Sequence, residues 1–104
     1  MRAILITFSA KSSKFNSAYE RNQFYRELYG WKQIIIRNYR RYEYQKSGLM
    51  DEIPHIKVDK SVFIVARNNL ERLRMFFNKW DDKTRFSSFE IKINKEEAKT
   101  IKVE

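Results

Sequence analysis

Residues 37–46 place Arg37, Arg40, Arg41 and Lys46 in one decapeptide with Tyr39, Tyr42 and Tyr44. Guanidinium and ammonium groups attract phosphates, and phenol rings offer flat faces on which unstacked bases can lie. Read as an extended segment, residues 39–46 alternate. Arg40, Tyr42, Tyr44 and Lys46 share one side; Tyr39, Arg41, Glu43 and Gln45 share the other. Tyr42 and Tyr44 then project together, flanked by cations, as a pair of stacking platforms. The chemistry this implies is binding of nucleic acid, DNA or RNA, without sequence preference, through Arg37, Arg40, Arg41, Tyr42, Tyr44 and Lys46, with Lys11, Lys14 and Lys32 widening the footprint. Two other uses fit the same residue types. One is an interface with an acidic protein partner, where tyrosine and arginine are favoured; the other is protection of an exposed strand edge.

A second group could do chemistry of another kind. Asp51, Glu52, His55 and Asp59 lie within nine residues and include the chain's one histidine. Carboxylate and imidazole together can hold a divalent metal, and an imidazole near neutral pH can take a proton. These residues define the enzymatic alternative, a metal-dependent nuclease. Pro54 interrupts the helix that a zinc-protease spacing requires. The competing reading is a structured turn whose carboxylates bind backbone N–H groups. The loop Ser9-Ala10-Lys11-Ser12-Ser13-Lys14 offers hydroxyls and ammonium groups to a phosphate but has no glycine, so it is not a P-loop.

The remaining sequence must position these groups. One domain fits 104 residues, and 42% apolar with 34% charged residues describes a folded globule with one real core. The formal net charge of +9 points to an anionic partner. It is uneven: residues 11–50 hold nine Lys/Arg against three Glu, residues 51–104 twelve against ten Asp/Glu. The absence of cysteine removes disulfides, thiolate metal sites and thiol nucleophiles. With no signal-like start and no apolar stretch of membrane-spanning length, the chain is expected in the cytoplasm, without a membrane or small-molecule cofactor.

Residues 3–8, but for Thr7, and 61–66, after Ser61, are continuously apolar and read as strands covered on both faces. Between them, Ser17 and Glu20 mark a helix start, Phe24, Leu28 and Trp31 its apolar stripe, and Gly30 its end. Residues 33–36 and 39–45 look extended, with a kink or turn at Arg37-Asn38, and residues 56–58 hold at most a short extended piece. Asn68 with Glu71 caps a second helix carrying Leu70, Leu73, Phe77 and Trp80. Phe89, Ile91 and Ile93 form a last strand, with a bulge at Ser87-Ser88 because Phe86 is out of phase. The order is β-α-β-β-α-β. It predicts an α+β, ferredoxin-like domain over residues 1–93, with an antiparallel four-stranded sheet and two helices on one face. The tyrosine-rich segment takes an edge. A tail at 94–104 forms a helical turn at Glu96 to Lys99 and a strand at Ile101 and Val103, added to this sheet or to a partner's. The opposite sheet face is left for solvent, a second copy or a ligand, and a homodimer is expected.

The pattern lacks the glycines that the RNA-recognition motif sets around its aromatics: Arg41-Tyr42-Glu43-Tyr44 has none. In size, element order and basic character, residues 1–93 resemble the small CRISPR-associated spacer-acquisition subunit and the related virulence-associated toxin D group. That resemblance implies a dimer of ferredoxin-like domains that binds nucleic acid, in some members with metal-dependent nuclease activity. Those members carry a metal-binding aspartate at the end of the first strand, where this chain reads Thr7-Phe8-Ser9-Ala10.

Overall fold

The computed structural model describes residues 1–103. In chain order it comprises β1 (Arg2–Ala10), α1 (Ala18–Tyr29), β2 (Trp31–Arg37), β3 (Arg40–Lys46), α2 (Leu49–Glu52), β4 (His55–Asp59), β5 (Val62–Val65), α3 (Leu70–Lys79), β6 (Thr84–Lys92) and α4 (Lys95–Thr100). It is a mixed α+β structure. Four strands form an antiparallel sheet in the order β4-β5-β1-β6. The two apolar runs are its central strands because both of their faces are covered. Ile4, Ile6 and Phe8 of β1 and Phe63 and Val65 of β5 enter one core, while Ala3 and Ile64 enter another on the far side.

α1 and α3 close the larger core with Phe24, Leu28, Leu73 and Phe77. Phe8 sits at its centre, with ring centroids 6.0 Å from Phe24 and 5.1 Å from Phe77. The Glu20 N–H donates to Ser17 Oγ at 3.1 Å, which satisfies one free donor of the first turn of α1. Lys83 Nζ lies 2.8 Å from Glu20 and, with the Asn16 N–H, holds that carboxyl below its usual range. The expected cap of α3 shifts by one residue. A 3-10 turn over Arg67–Asn69 leads in, and Asn69 occupies the cap position without a side-chain bond.

Two expectations near the C-terminus are corrected. β6 pairs with β1 residue for residue, from Arg2↔Lys92 to Ala10↔Thr84, so Ser87-Ser88 is no bulge. Phe86 pairs with Phe8 and Phe89 with Leu5, so the two phenylalanines serve opposite faces of one regular strand. The register irregularity lies instead in β4, between Lys57 and Asp59. Among its described residues the tail forms α4 and no strand. Asn94 and Glu97 cap it reciprocally, at 2.8 and 2.9 Å, and Lys102 at φ 57° turns the chain back. Ala98 and Ile101 thereby cover part of the second sheet face together with Ala3, Ile64 and Ile93.

The largest correction concerns the tyrosine-rich segment. It is not an edge of the four-stranded sheet: β4 fills that position, and β2 and β3 pair only with each other. Asn38 and Tyr39, at φ 50° and 64°, make the two-residue turn of type I′ character that folds β3 back on β2. Trp31, expected on the stripe of α1, is the first residue of β2. No residue from 31 to 47 enters either core. The hairpin stands away from the body as an arm. The molecule measures 53 × 33 × 20 Å with a radius of gyration of 16.1 Å, against about 13 Å for a compact chain of this length.

The two glycines form the arm's root. A Cβ on Gly30 would come within 2.3 Å of the Lys46 carbonyl oxygen, and one on Gly48 within 2.2 Å of the Gly30 nitrogen. Gly30 also holds φ 79°. The departing and returning chains therefore touch where neither can carry a side chain. The Asp51 carboxylate fastens the junction by accepting the Gly48 N–H at 2.8 Å.

Candidate nucleic-acid interface

The register of the hairpin sorts its side chains. Residues opposite each other in an antiparallel pair share a face. The pairs Trp31↔Lys46, Gln33↔Tyr44, Ile35↔Tyr42 and Arg37↔Arg40 therefore line one face, from root to tip. Lys32↔Gln45, Ile34↔Glu43 and Ile36↔Arg41 line the other.

Charge divides along the same boundary. On the second face Glu43 receives Lys32 Nζ at 2.9 Å and Arg41 at 3.2 Å. Lys32 and Arg41, counted with the binding cations from sequence, are thus engaged by an acid and turned away from the tyrosines. On the first face Arg37, Arg40 and Lys46 have no ion-pair partner among the described residues, and that face of the arm carries no carboxylate. Arg37 and Arg40 stand directly opposite each other, an arrangement in which like charges destabilise a ladder. A phosphate between them would relieve that repulsion.

The stacking groups are on the same face. Tyr42 and Tyr44 are 40% and 47% exposed. They join Ile35, Arg37 and Asn38 around an open depression of about 430 Å³. Ile35 gives Tyr42 an apolar neighbour across the ladder, a partnership visible only once the register is known. Lys11 and Lys14 lie in the connection before α1, where the Lys11 N–H bonds the Lys83 carbonyl at 2.9 Å. The arm leaves from the other end of that 12-residue helix, about 18 Å away along its axis. The structure does not bring these lysines to the tyrosines.

The carboxylate and histidine group is dispersed. Asp51 caps the one-turn α2, Glu52 pairs with Arg72 at 3.4 Å, and the Asp59 carboxylate accepts the Lys60 N–H at 2.7 Å. His55 Nδ1 lies 2.8 Å from the Ile53 carbonyl oxygen, and its ring meets Phe63 edge-on at 6.1 Å. Among the described residues no three potential ligands converge as a metal site would require. Asp51 and Asp59 serve their own local turns, while Glu52 reaches α3 through Arg72.

Sequence reasoning missed the arm's root. Tyr19, Gln23, Arg26, Glu27, Trp31 and Ser47 line a half-open cleft of about 260 Å³ between α1 and the start of the hairpin. The Arg26 guanidinium lies 4.2 Å from the Trp31 ring centroid. The available signal was the 19, 23, 26 spacing of one helix face just before the tyrosine-rich segment. Comparison of the chain with protein-family models, with characterised proteins and with solved structures finds no match. No helix is long and apolar enough to cross a membrane among the described residues.

Proposed function

We propose that this protein binds single-stranded nucleic acid without strong sequence preference, along the arm face that carries Arg37, Arg40, Tyr42, Tyr44 and Lys46. One observation carries the reading: this face gathers unpaired cations and exposed tyrosines on an element with no share in the core. Successive rows on one face of a strand are about 6.8 Å apart, a spacing that an extended strand of three or four nucleotides can follow. Cations would hold phosphates and the two phenol rings would take bases, each stack contributing about 1–3 kcal/mol. We infer further that the body is ferredoxin-like. This is supported by central β1 and β5, each leading through a helix to an edge strand, with the arm inserted in the first crossover.

The test is binding of short labelled oligonucleotides across a salt series. Three phosphate contacts on a single strand give a slope of log K against log salt of about −2. Arg37→Ala with Arg40→Ala is expected to weaken every sequence alike, by about tenfold or more at 0.1 M salt, and to bring the slope to roughly −0.7. Arg41→Ala, on the opposite face with its guanidinium engaged by Glu43, is expected to change binding little. Equal affinity of the Arg37/Arg40 variant and the parent would refute the assignment.

A further inference from the structure

We propose that the cleft at the arm's root receives one unpaired nucleobase from a strand lying along the cationic face. This inference rests on the nucleic-acid reading above and assigns that reading a second, different kind of contact.

Three observations lead to it. The first is continuity. Trp31 and Lys46 form the last row of the cationic face, and Ser47 follows Lys46 directly into the cleft wall. A strand running from the tip toward the body therefore ends at this opening.

The second is charge. The cleft holds one cation, Arg26, stacked on Trp31, and one carboxylate, Glu27, bonded to Lys79 Nζ at 2.6 Å. A cleft with no surplus positive charge is a poor seat for a phosphate, in contrast to the arm's tip. The free Glu27 Oε2 is shut off from solvent and has no partner among the described residues, so it is out of reach of a ligand.

The third is shape and chemistry. Tyr19 and Arg26 lie seven residues apart on one face of α1, with Gln23 between them. Their backbones are offset by about 10.5 Å along the helix axis, and both the phenol and the guanidinium, surfaces on which bases stack, border the cleft. Gln23 supplies an amide donor and acceptor, and Ser47 a hydroxyl, to the edge of that ring. The volume of about 260 Å³ suits one base.

The experiment follows the indole of Trp31, which is partly exposed while Trp80 is buried. The probes are an adenylate pentamer and the same pentamer with every base removed, which keeps its phosphates. The pentamer is expected to quench the fluorescence saturably and the abasic strand to leave it unchanged, with Trp31→Phe abolishing the signal. Tyr19→Ala with Gln23→Ala, both at exposed positions, should weaken the pentamer about tenfold without altering the salt slope. Arg37→Ala with Arg40→Ala should lower the slope and keep the quench at saturation. A pentamer that binds with the expected slope while the indole stays silent overturns the base-binding cleft and leaves the cationic face standing; an abasic strand that binds as tightly as the pentamer overturns the cleft and the tyrosine stacking together and leaves only the phosphate contacts. Absence of binding by either strand overturns both.

Discussion

The Tyr29 hydroxyl donates to the Lys60 carbonyl at 2.6 Å and ties the end of α1 to the turn between β4 and β5. Burial, with the nearby Tyr25 adding to it, pushes this phenol from the ordinary 10.0 up to about 12. Tyr29→Phe keeps the ring against Phe8 and removes only the donor, at a cost of about 1 kcal/mol at neutral pH in urea unfolding. The sign at alkaline pH follows from linkage. A raised folded pKa means that the folded state keeps its proton where the unfolded state has lost it. The contribution is full below pH 10 and disappears as pH rises toward 12. The stability difference between parent and Phe variant should therefore shrink over that window; a constant difference would show that the hydroxyl is not held as described. The same scale separates the arginines. Arg37, Arg40 and Arg41 are equivalent by composition and differ only by which side of a ladder each occupies.

At the scale of elements, the arm depends on a two-residue turn whose second position is unfavourable. Tyr39 at φ 64° occupies a region that costs a bulky L-residue roughly 1–2 kcal/mol, whereas Asn-Gly is the preferred pair for this turn. Tyr39→Gly should tighten the hairpin. The expected outcome is slower amide hydrogen exchange at Ile35 and Tyr42 with little change in global unfolding, since the arm lies outside the core. Equal exchange in the two proteins would show that the turn is not limiting. This turn also explains what was legible in the sequence. Both long helices and the central strands β1 and β5 were readable because burial on one or two faces imposes a period. The hairpin was read as a sheet edge because Asn38-Tyr39 lacks the glycine that announces a tight turn. β4 was reduced to a fragment because its five residues carry a bulge and an exposed Val58. The alternation within the tyrosine-rich strand was correct, so the pairing of Tyr42 with Tyr44 survived even though the strand's neighbour did not. Only the helix side of the cleft at the root, the 19, 23, 26 spacing, was legible; its other wall was not, because it depends on how α1 and β2 are juxtaposed across Gly30.

For the molecule as a whole, the separation of arm and body has a direct consequence. Residues 31–47 hold five of the 22 Lys/Arg and one of the 13 Asp/Glu, so the arm carries +4 of the formal +9. The core runs without interruption from β1 through α1 to α2 and α3 without using any of them. Because Gly30 and Gly48 already touch, excision of residues 31–47 with Gly30 joined to Gly48 demands little movement of the body. The shortened chain should unfold cooperatively, with a midpoint within about 4–8 °C of the parent, equivalent to roughly 1 kcal/mol for a domain of this size. Its radius of gyration should fall from 16.1 Å toward about 12 Å, and its affinity for oligonucleotides should be lost. These measurements separate two roles. A folded, compact body that no longer binds makes the arm a recognition element carried by an independent scaffold. A body that melts shows that the hairpin stabilises the fold through contacts outside both cores. A body that folds and binds as before moves the interface to the remaining net charge of +5, away from the tyrosines.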